Sequence, residues 1–431
     1  MSSPQNAPSQ GVSSVVVGLQ FGDEGKGAVV DRIAPRGAAV VRFNGGSNAG
    51  HTIILPDGST LATHALPSGI AHPGMINMLG PNCLADLGEV IKECKVAETY
   101  GATVVLDRSA PFALPIHKVI DAGRESRSGG SAIGTTKRGI GPGFEDLASR
   151  RAPKLGDLTS APRIRAALTE RGFYEERAAV ARHLGYDPSS LEETVEWCMQ
   201  RSADIVPLLG DTRRIVRELL AAGDGVLFEG AQAVGLDVLQ GSQPYTTSSV
   251  CTAAGVSMSY GIYDMRVIGV AKAYVTRVGA GPFPTKLDDD VGAWLRVQGH
   301  EFGSTTGRPR DCGWLDLVQL RANCHFGGVR EIALTKLDVL SGMDEIKVCI
   351  GYEFDGRRIT RYETLTGRVM REATPVYAVV PGWQEDISGC RRFEDLPLNA
   401  QKYVLMVSSS LGIPVVGVGV GPGRQQYVET V

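Results

Sequence analysis

The stretch "VVVGLQFGDEGKGAVVD", residues 15–31, sets Gly18, Gly22, Gly25 and Gly27 around one lysine, Lys26, directly after an apolar run. Glycines at that spacing let backbone N–H groups approach a phosphate, and a helix that follows would aim its positive end at the anion. Lys26 supplies the point charge. An ordinary phosphate loop places Ser or Thr after its lysine to hold magnesium. Here that position is Gly27, and two carboxylates, Asp23 and Glu24, stand inside the loop. A carboxylate beside phosphate is tolerable when a cation or a transferable proton compensates it, which makes Asp23 a candidate magnesium ligand or general base. Glu24 reads as a residue that caps the following helix.

Three further segments carry chemistry. "RFNGGSNAGHT", residues 42–52, offers Asn44, Asn48 and His51. A histidine beside a triphosphate can donate to the γ-phosphate and stabilise the charge that develops on transfer; an ordinary surface or core histidine fits the spacing equally well. His64 and His72 are not at metal-ligand spacing and read as structural. "ALTKLDVL" ends an apolar run with Thr335, Lys336 and Asp338. One carboxylate there can accept from both the ring N–H and the exocyclic amine of guanine, with the lysine stem along the base; a strand-end salt bridge is the competing reading. "GSTTGRPRDCGWLD", residues 303–316, gathers Thr305, Thr306, Arg308 and Arg310 between glycines. Two hydroxyls and two guanidiniums suit a small dicarboxylate plus phosphate, against the alternative of a surface loop.

These side chains need a scaffold. The 431 residues allow a large core, and 44 basic against 47 acidic residues, net −3, create no global field for nucleic acid or an anionic membrane. Eight cysteines without a C-x-x-C pair read as free thiols of a reducing cytoplasm. Residues 1–13 read as a polar, disordered leader, and no segment approaches the roughly 20 apolar residues of a membrane span. "SVVVGL", "AAVVRF", "TVVLD", "GVLFEG", "RVIGVAKAYV", "EIALTKLDVL" and "PVVGVGV" read as buried strands, with helical periodicity over 86–100, 161–183, 191–202, 211–222 and 314–325. Strands separated by helices predict an α/β fold, a mostly parallel central sheet flanked by helices with a P-loop-like nucleotide site, forming one domain over 14–431. Glycine clusters at 18–27, 45–50, 129–143, 279–281, 303–307 and 417–423 fall mostly at strand ends, where such a sheet carries its ligand loops.

With these segments in hand, the chain resembles the adenylosuccinate synthetase family from about residue 14 to 428. The stretches "GDEGKG", "NAGHT", "AIGTTKRGIGP", "EGAQ", "TRVGAGPFPT", "TTGR", "CGWLD", "TKLD" and "PGW" occur in family order. The resemblance implies ligation of L-aspartate to IMP with GTP as co-substrate and one magnesium ion per subunit, through a 6-phosphoryl intermediate. It implies Asp23 as base toward N1 of IMP, His51 as acid, and magnesium on Asp23 and the Gly50 carbonyl. GTP would meet Gly22, Glu24, Gly25, Lys26, Gly27, Gly50, Thr52, Arg310, Lys336, Asp338, Gly419 and Gly421. IMP would meet Asn48, Thr136, Gln232, Thr247, Val278 and Arg308, with Arg150 reaching in from the second subunit of a homodimer; aspartate would meet Ser304, Thr305, Thr306 and Arg308. No nucleic acid or membrane partner is implied.

Three departures stand out: Asn44 where the family generally has Gln, Pro309 and Asp311 in a loop that is commonly more basic, and "GVGVGPGR" at residues 417–424, which puts Gly419, Val420 and Gly423 in the nucleotide site. They leave open a paralogue acting on an IMP analogue. A guanine-nucleotide binder without catalysis is the third reading, which Asp23 and His51 argue against, since a pure binder needs no base.

Overall fold

The computed structural model describes residues 12–303, 307–361 and 367–430. Ten strands form one sheet. In chain order they are β1 (Ser13–Gly18), β2 (Ala39–Arg42), β3 (Ile76–Leu79), β4 (Thr103–Asp107), β5 (Leu209–Gly210), β6 (Val226–Glu229), β7 (Arg266–Lys272), β8 (Glu331–Thr335), β9 (Val415–Gly419) and β10 (Tyr427–Glu429). Across the sheet they run β10-β9-β8-β7-β1-β6-β2-β3-β4-β5. Every pairing is parallel except that of β9 with β10.

Parallel strands are covered on both faces and so read as continuous apolar runs. Val15, Val16 and Val17 of β1 are fully buried, yet they serve different layers. Val15, Val17 and Leu19 join a large core with Leu320 and Cys324 of the helix Leu317–Gly327. Val16 faces the other way, onto Val29 and Val30 of α1 (Lys26–Ile33). Each such valine is worth at most about 1.5–3 kcal/mol of burial, so this one strand anchors both layers.

The chain leaves β1 for β2 on one side of the sheet, continues outward to β5, returns to insert β6 beside β1, and then builds β7 to β10 on the opposite side. The order therefore reverses at β1, and a crevice opens there at the carboxyl ends of the strands. In register, Glu229 lies opposite Val16 and Gly18 opposite Val270. The loops leaving β1, β2, β6, β7 and β8 consequently share one edge.

A separate, mostly antiparallel sheet packs beside this one, with Glu345–Phe354 antiparallel to Arg357–Ile359 and Thr374–Pro381 and parallel to Leu315–Asp316. The helix Leu317–Gly327 joins the two: Val318 packs on Cys349 and Tyr352, and Asp316 caps the helix by accepting from Val318 N and Gln319 N at 3.1 Å each. Burial pushes the Asp316 carboxyl up to about 6, opposed by the Tyr352 hydroxyl and those two N–H groups. No described helix is long and apolar enough to cross a membrane.

All seven expected strands are present, with "RVIGVAKAYV" ending as a sheet strand at Lys272. The expected helix over 161–183 is two helices, Ala161–Thr169 and Phe173–His183, because Arg171 (φ 54°) and Gly172 (φ 68°) take left-handed backbone that no α-helix contains. The long strand Glu345–Phe354 escaped notice because Lys347 and Glu353 interrupt its apolar positions, whereas the search was for uniformly apolar runs.

Candidate active site

The loop after β1 is shaped by Glu24. Its Oε1 accepts from Gln20 N at 3.0 Å and Gly22 N at 2.9 Å, and its Oε2 takes the Lys26 ammonium at 2.6 Å. The Glu24 carbonyl accepts from Thr335 Oγ1 at 2.6 Å, which ties the loop to the end of β8. Glu24 is therefore not a helix cap: α1 starts from Gly25 at φ 87°, without a side-chain cap. A buried carboxylate needs such partners, and meeting that need folds the loop so that Asp23 is presented at its crest, at φ 58° with 29% of its side chain exposed. Gly18 is required below it, because a Cβ there would lie 2.5 Å from Glu24 Oε2 and 2.8 Å from Lys26 Nζ.

His51 explains the missing hydroxyl after Lys26. It opens the hairpin strand His51–Ile54 and packs on the first turn of α1, where a Cβ on Gly27 would stand 2.8 Å from His51 Cβ and 3.1 Å from Ser68 Oγ. A serine or threonine at 27 is excluded by the histidine. The His51 Nδ1 is hydrogen-bonded to Glu229 Oε1 at the end of β6. Glu229 also accepts from Ser68 N at 2.6 Å and Ser68 Oγ at 2.9 Å, with Arg42 3.4 Å away. Burial opposes ionisation of Glu229, yet Arg42 and His51 hold it down at about 2. Burial and Arg42 lower His51 to about 4. The ring is thus neutral at neutral pH with its proton on Nδ1, since a carboxylate only accepts. Glu229 was not anticipated as a site residue; the signal was a lone acid in the apolar strand "VLFEG".

A third buried carboxylate organises the segment expected to read guanine. Lys336 follows β8 at φ 57° and donates to Gly299 O and, at 2.9 Å, to Glu301 Oε1. Glu301 further receives Lys272 Nζ at 3.0 Å, the Tyr274 hydroxyl and Arg310 at 2.6 Å. Burial would raise its carboxyl, but Lys272 and Lys336 hold it far below the usual range. Arg310 reaches Asp23 as well, Nε to Oδ2 at 3.0 Å. The expected phosphate contact Arg310 thus stands beside the expected base. Asp338 is half-buried, and burial raises its carboxyl; two N–H donors of a base would favour its charged form. Gly419 lies against this turn, where a Cβ would be 3.3 Å from Thr335 Cα, and Gly421 packs on Gln426. Nothing in the residue spacing pointed to Glu301 or Lys272.

Asn48, Thr136, Gln232 with Thr247, and Val278, all expected around IMP, come from four loops that touch. Gln232, at φ 54°, donates from Nε2 to Asn48 Oδ1 at 3.0 Å. Arg138 donates to Ser47 O at 2.9 Å, bringing the loop of Thr136 to that of Asn48. A Cβ on Gly134 would lie 3.1 Å from Gly279 Cα, so the loop of Thr136 also meets that of Val278. Arg277 donates to Pro282 O at 2.9 Å and Tyr245 O at 3.2 Å, joining the Val278 loop to that of Thr247. Gln232 Oε1 and Thr247 Oγ1 are buried atoms without a hydrogen-bond partner, as polar atoms facing a ligand site are. Thr136, Val278, Arg308 and Arg150 are exposed, Arg150 at φ 65°. Thr52 is exposed beside His51. Ser304, Thr305 and Thr306 lie outside the described residues.

Asn44 does not face this site. Fully buried, it accepts from Ala231 N at 2.8 Å and donates to Ala231 O at 3.3 Å, pinning the start of the Gln232 loop. Among the described residues no group of three or more His, Cys, Asp or Glu is placed to hold a metal ion.

The profile of the adenylosuccinate synthetase family matches residues 15–428. Adenylosuccinate synthetases of Hahella chejuensis and Mycobacterium tuberculosis are each 41% identical, over 97% and 96% of this chain and 98% and 97% of their own lengths. The fully ligated adenylosuccinate synthetase of Plasmodium falciparum superposes with a TM-score of 0.90 at 35% identity, covering 97% of this chain and all of that one. A succinoaminodeoxyadenylate synthetase of cyanophage S-2L, bound to dGMP and dATP, shares the fold at 18% identity and a TM-score of 0.62.

Two outcomes follow from the His51 packing. Gly27→Ser forces His51 from its place on α1, and, with His51 in its expected role as acid, kcat falls by about 10²-fold, the low end for loss of a positioned proton donor, while circular dichroism is unchanged; wild-type kcat would show that the contact is not limiting. As pH falls below the ordinary 6.5, an unfolded histidine takes a proton that buried His51 refuses until about 4, so folding stability is lost across that window. In urea denaturation the stability advantage of wild type over His51→Gln should shrink by roughly 2–3 kcal/mol between pH 7.5 and 4.5; a constant difference would count against a neutral buried His51.

Proposed function

The chain belongs to the adenylosuccinate synthetase family, and from that premise we propose that Asp23 and His51 carry its chemistry. The enzyme ligates L-aspartate to IMP at the expense of GTP, forming adenylosuccinate, GDP and phosphate in AMP biosynthesis. The observation that carries the assignment is the placement of Asp23: a partly exposed carboxylate at the crest of the phosphate loop, in ion-pair reach of Arg310.

In this reading Asp23 takes the N1 proton of IMP, and O6 attacks the γ-phosphorus as the bond to the GDP oxygen breaks. His51 turns Nε2 toward the transferring group. The ring must gain a second proton to donate there while Nδ1 stays on Glu229, and an arriving phosphate anion favours that proton as Glu229 does. Glu229 is a positioning residue that fixes the tautomer and compensates the imidazolium. The aspartate amine then attacks C6, and phosphate leaves with O6.

The loop 22–27 with Gly50, Thr52 and Arg310 holds the GTP phosphates, and Lys336, Asp338, Gly419 and Gly421 hold its base. Asn48, Thr136, Gln232, Thr247, Val278 and Arg308 hold IMP, and residues 304–306 with Arg308 hold aspartate. The donor set fits magnesium shared with the nucleotide: one carboxylate, Asp23, and the Gly50 carbonyl, without the acidic cage a protein-only site would need. When bound, the ion neutralises charge on the transferred phosphoryl group. Eight free cysteines support a cytoplasmic location, and residues 14–431 act as one catalytic unit. The inward-facing Asn44 gives no support to a changed purine specificity.

Purified protein with magnesium, L-aspartate, GTP and IMP should form adenylosuccinate, with ATP in place of GTP giving little. Asp23→Ala should lower turnover by at least about 10³-fold and leave IMP binding measurable by calorimetry; unchanged turnover would refute the role of Asp23. Exposed Arg150 supports a site completed by a second subunit of a homodimer. Mixing Arg150→Leu with Asp23→Ala protein should restore part of the activity, and no recovery in verified heterodimers would sink subunit sharing.

A further inference from the structure

We propose that Glu301 is a positioning residue that couples the guanine subsite to Asp23, so that recognition of the base changes the rate of chemistry as well as the affinity for the nucleotide. The proposal rests on the site assignment above and goes beyond it, since it gives a role to a carboxylate that is not among the assigned site residues.

Glu301 has no exposed surface, and its two oxygens face in different functional directions. Oε1 serves Lys336 at 2.9 Å, together with Lys272 at 3.0 Å and the Tyr274 hydroxyl. Oε2 serves Arg310 at 2.6 Å. Lys336 stands two residues before Asp338, the expected reader of guanine. Arg310 is ion-paired with Asp23, Nε to Oδ2 at 3.0 Å, without a hydrogen bond from that Nε. A path of three ion pairs therefore runs from Lys336, two residues before the expected base reader, to Asp23, and it passes through one carboxylate fixed in the interior.

Two of the three cations on Glu301 have work to do elsewhere. To accept a proton from IMP or to meet magnesium, Asp23 must loosen its hold on Arg310, and that guanidinium needs another anion to keep it. Glu301 is that anion. Its capacity is divided among Lys272, Lys336 and Arg310, and buried charges in contact compete strongly for one partner. When a guanine ring lies along the Lys336 stem and draws that ammonium from Oε1, Glu301 holds Arg310 more firmly and Asp23 is released. Binding energy from a remote part of the nucleotide is thus spent at the reacting centre, the condition under which a poorer base lowers kcat and not only affinity. Lys272 remains as the fixed counter-charge: it is fully buried and donates to Thr276 as well.

The test compares GTP with ITP, which lacks the exocyclic amine, in wild type and Glu301→Gln, with IMP and aspartate saturating. In wild type, ITP should lower kcat by about five-fold or more in addition to raising KM. In Glu301→Gln the two kcat values should agree within about two-fold while the KM difference persists. Tyr274→Phe, which removes a neutral donor from the same oxygen, should keep the wild-type kcat ratio. Lys272→Met/Glu301→Gln, with one buried cation fewer, serves if the single variant does not fold, as judged by thermal unfolding and IMP binding. A wild-type base effect confined to KM, an unchanged kcat ratio in the Glu301 variants, or loss of the ratio in Tyr274→Phe would each overturn the coupling. Failure of the underlying assignment is a different result: wild type would make no adenylosuccinate, or Asp23→Ala would retain activity.

Discussion

A carboxylate withdrawn from water persists only where cations and N–H groups replace its hydration, and three such carboxylates shape this site. Glu24 gathers the phosphate loop, Glu229 orients His51, and Glu301 collects Lys272, Lys336 and Arg310. Glu229 ends a strand and Glu24 lies in the loop after one, whereas Glu301 follows the helix Asp290–Gln298; Glu229 and Glu301 draw partners from segments remote in sequence, and Glu24 from its own loop. The site residues are held by these demands as much as by the strands themselves. Removing one carboxylate strands its cations in the interior, so the loops are cooperative in the strict electrostatic sense.

The same constraint accounts for backbone that is otherwise costly. Asp23, Gln232 and Lys336 all take left-handed φ angles, at about 1 kcal/mol or more each. Each lies within a few residues of a strand end: Asp23 after β1, Gln232 after β6 and Lys336 after β8. In each case a neighbouring bond holds the turn: Glu24 accepts from Gly22 N, Asn44 grips Ala231, and Thr335 donates to the Glu24 carbonyl. The strain is local, and the hydrogen bonds that oppose it come from adjacent segments.

Departures from an expected pattern acquire meaning only from what surrounds them. Gly27 has the appearance of a defect in a phosphate loop and is instead the space that His51 requires. Asn44 has the appearance of a pocket residue and is instead a clamp on the Ala231 backbone. Both positions serve close packing between loops, Gly27 by leaving room for His51 and Asn44 by its bonds to the Ala231 backbone.

The residues proposed to act on ligands were legible in the sequence, because a glycine-spaced lysine, an acid within that loop and a T-K-x-D turn are local patterns whose chemistry is set by neighbours within a few positions. The buried parallel strands were legible for the same reason: apolar runs such as "SVVVGL" need no knowledge of their partners. What the tertiary structure alone decided is which distant groups complete them. Glu229 reaches His51 across 178 residues, and Lys272 and Gln20 meet across 252. Sheet order brings such groups together, and charge neutralisation in a low-dielectric interior selects among them. Neither is written in local spacing, so Glu301, silent in the sequence, emerges only when three cations are seen to converge on it.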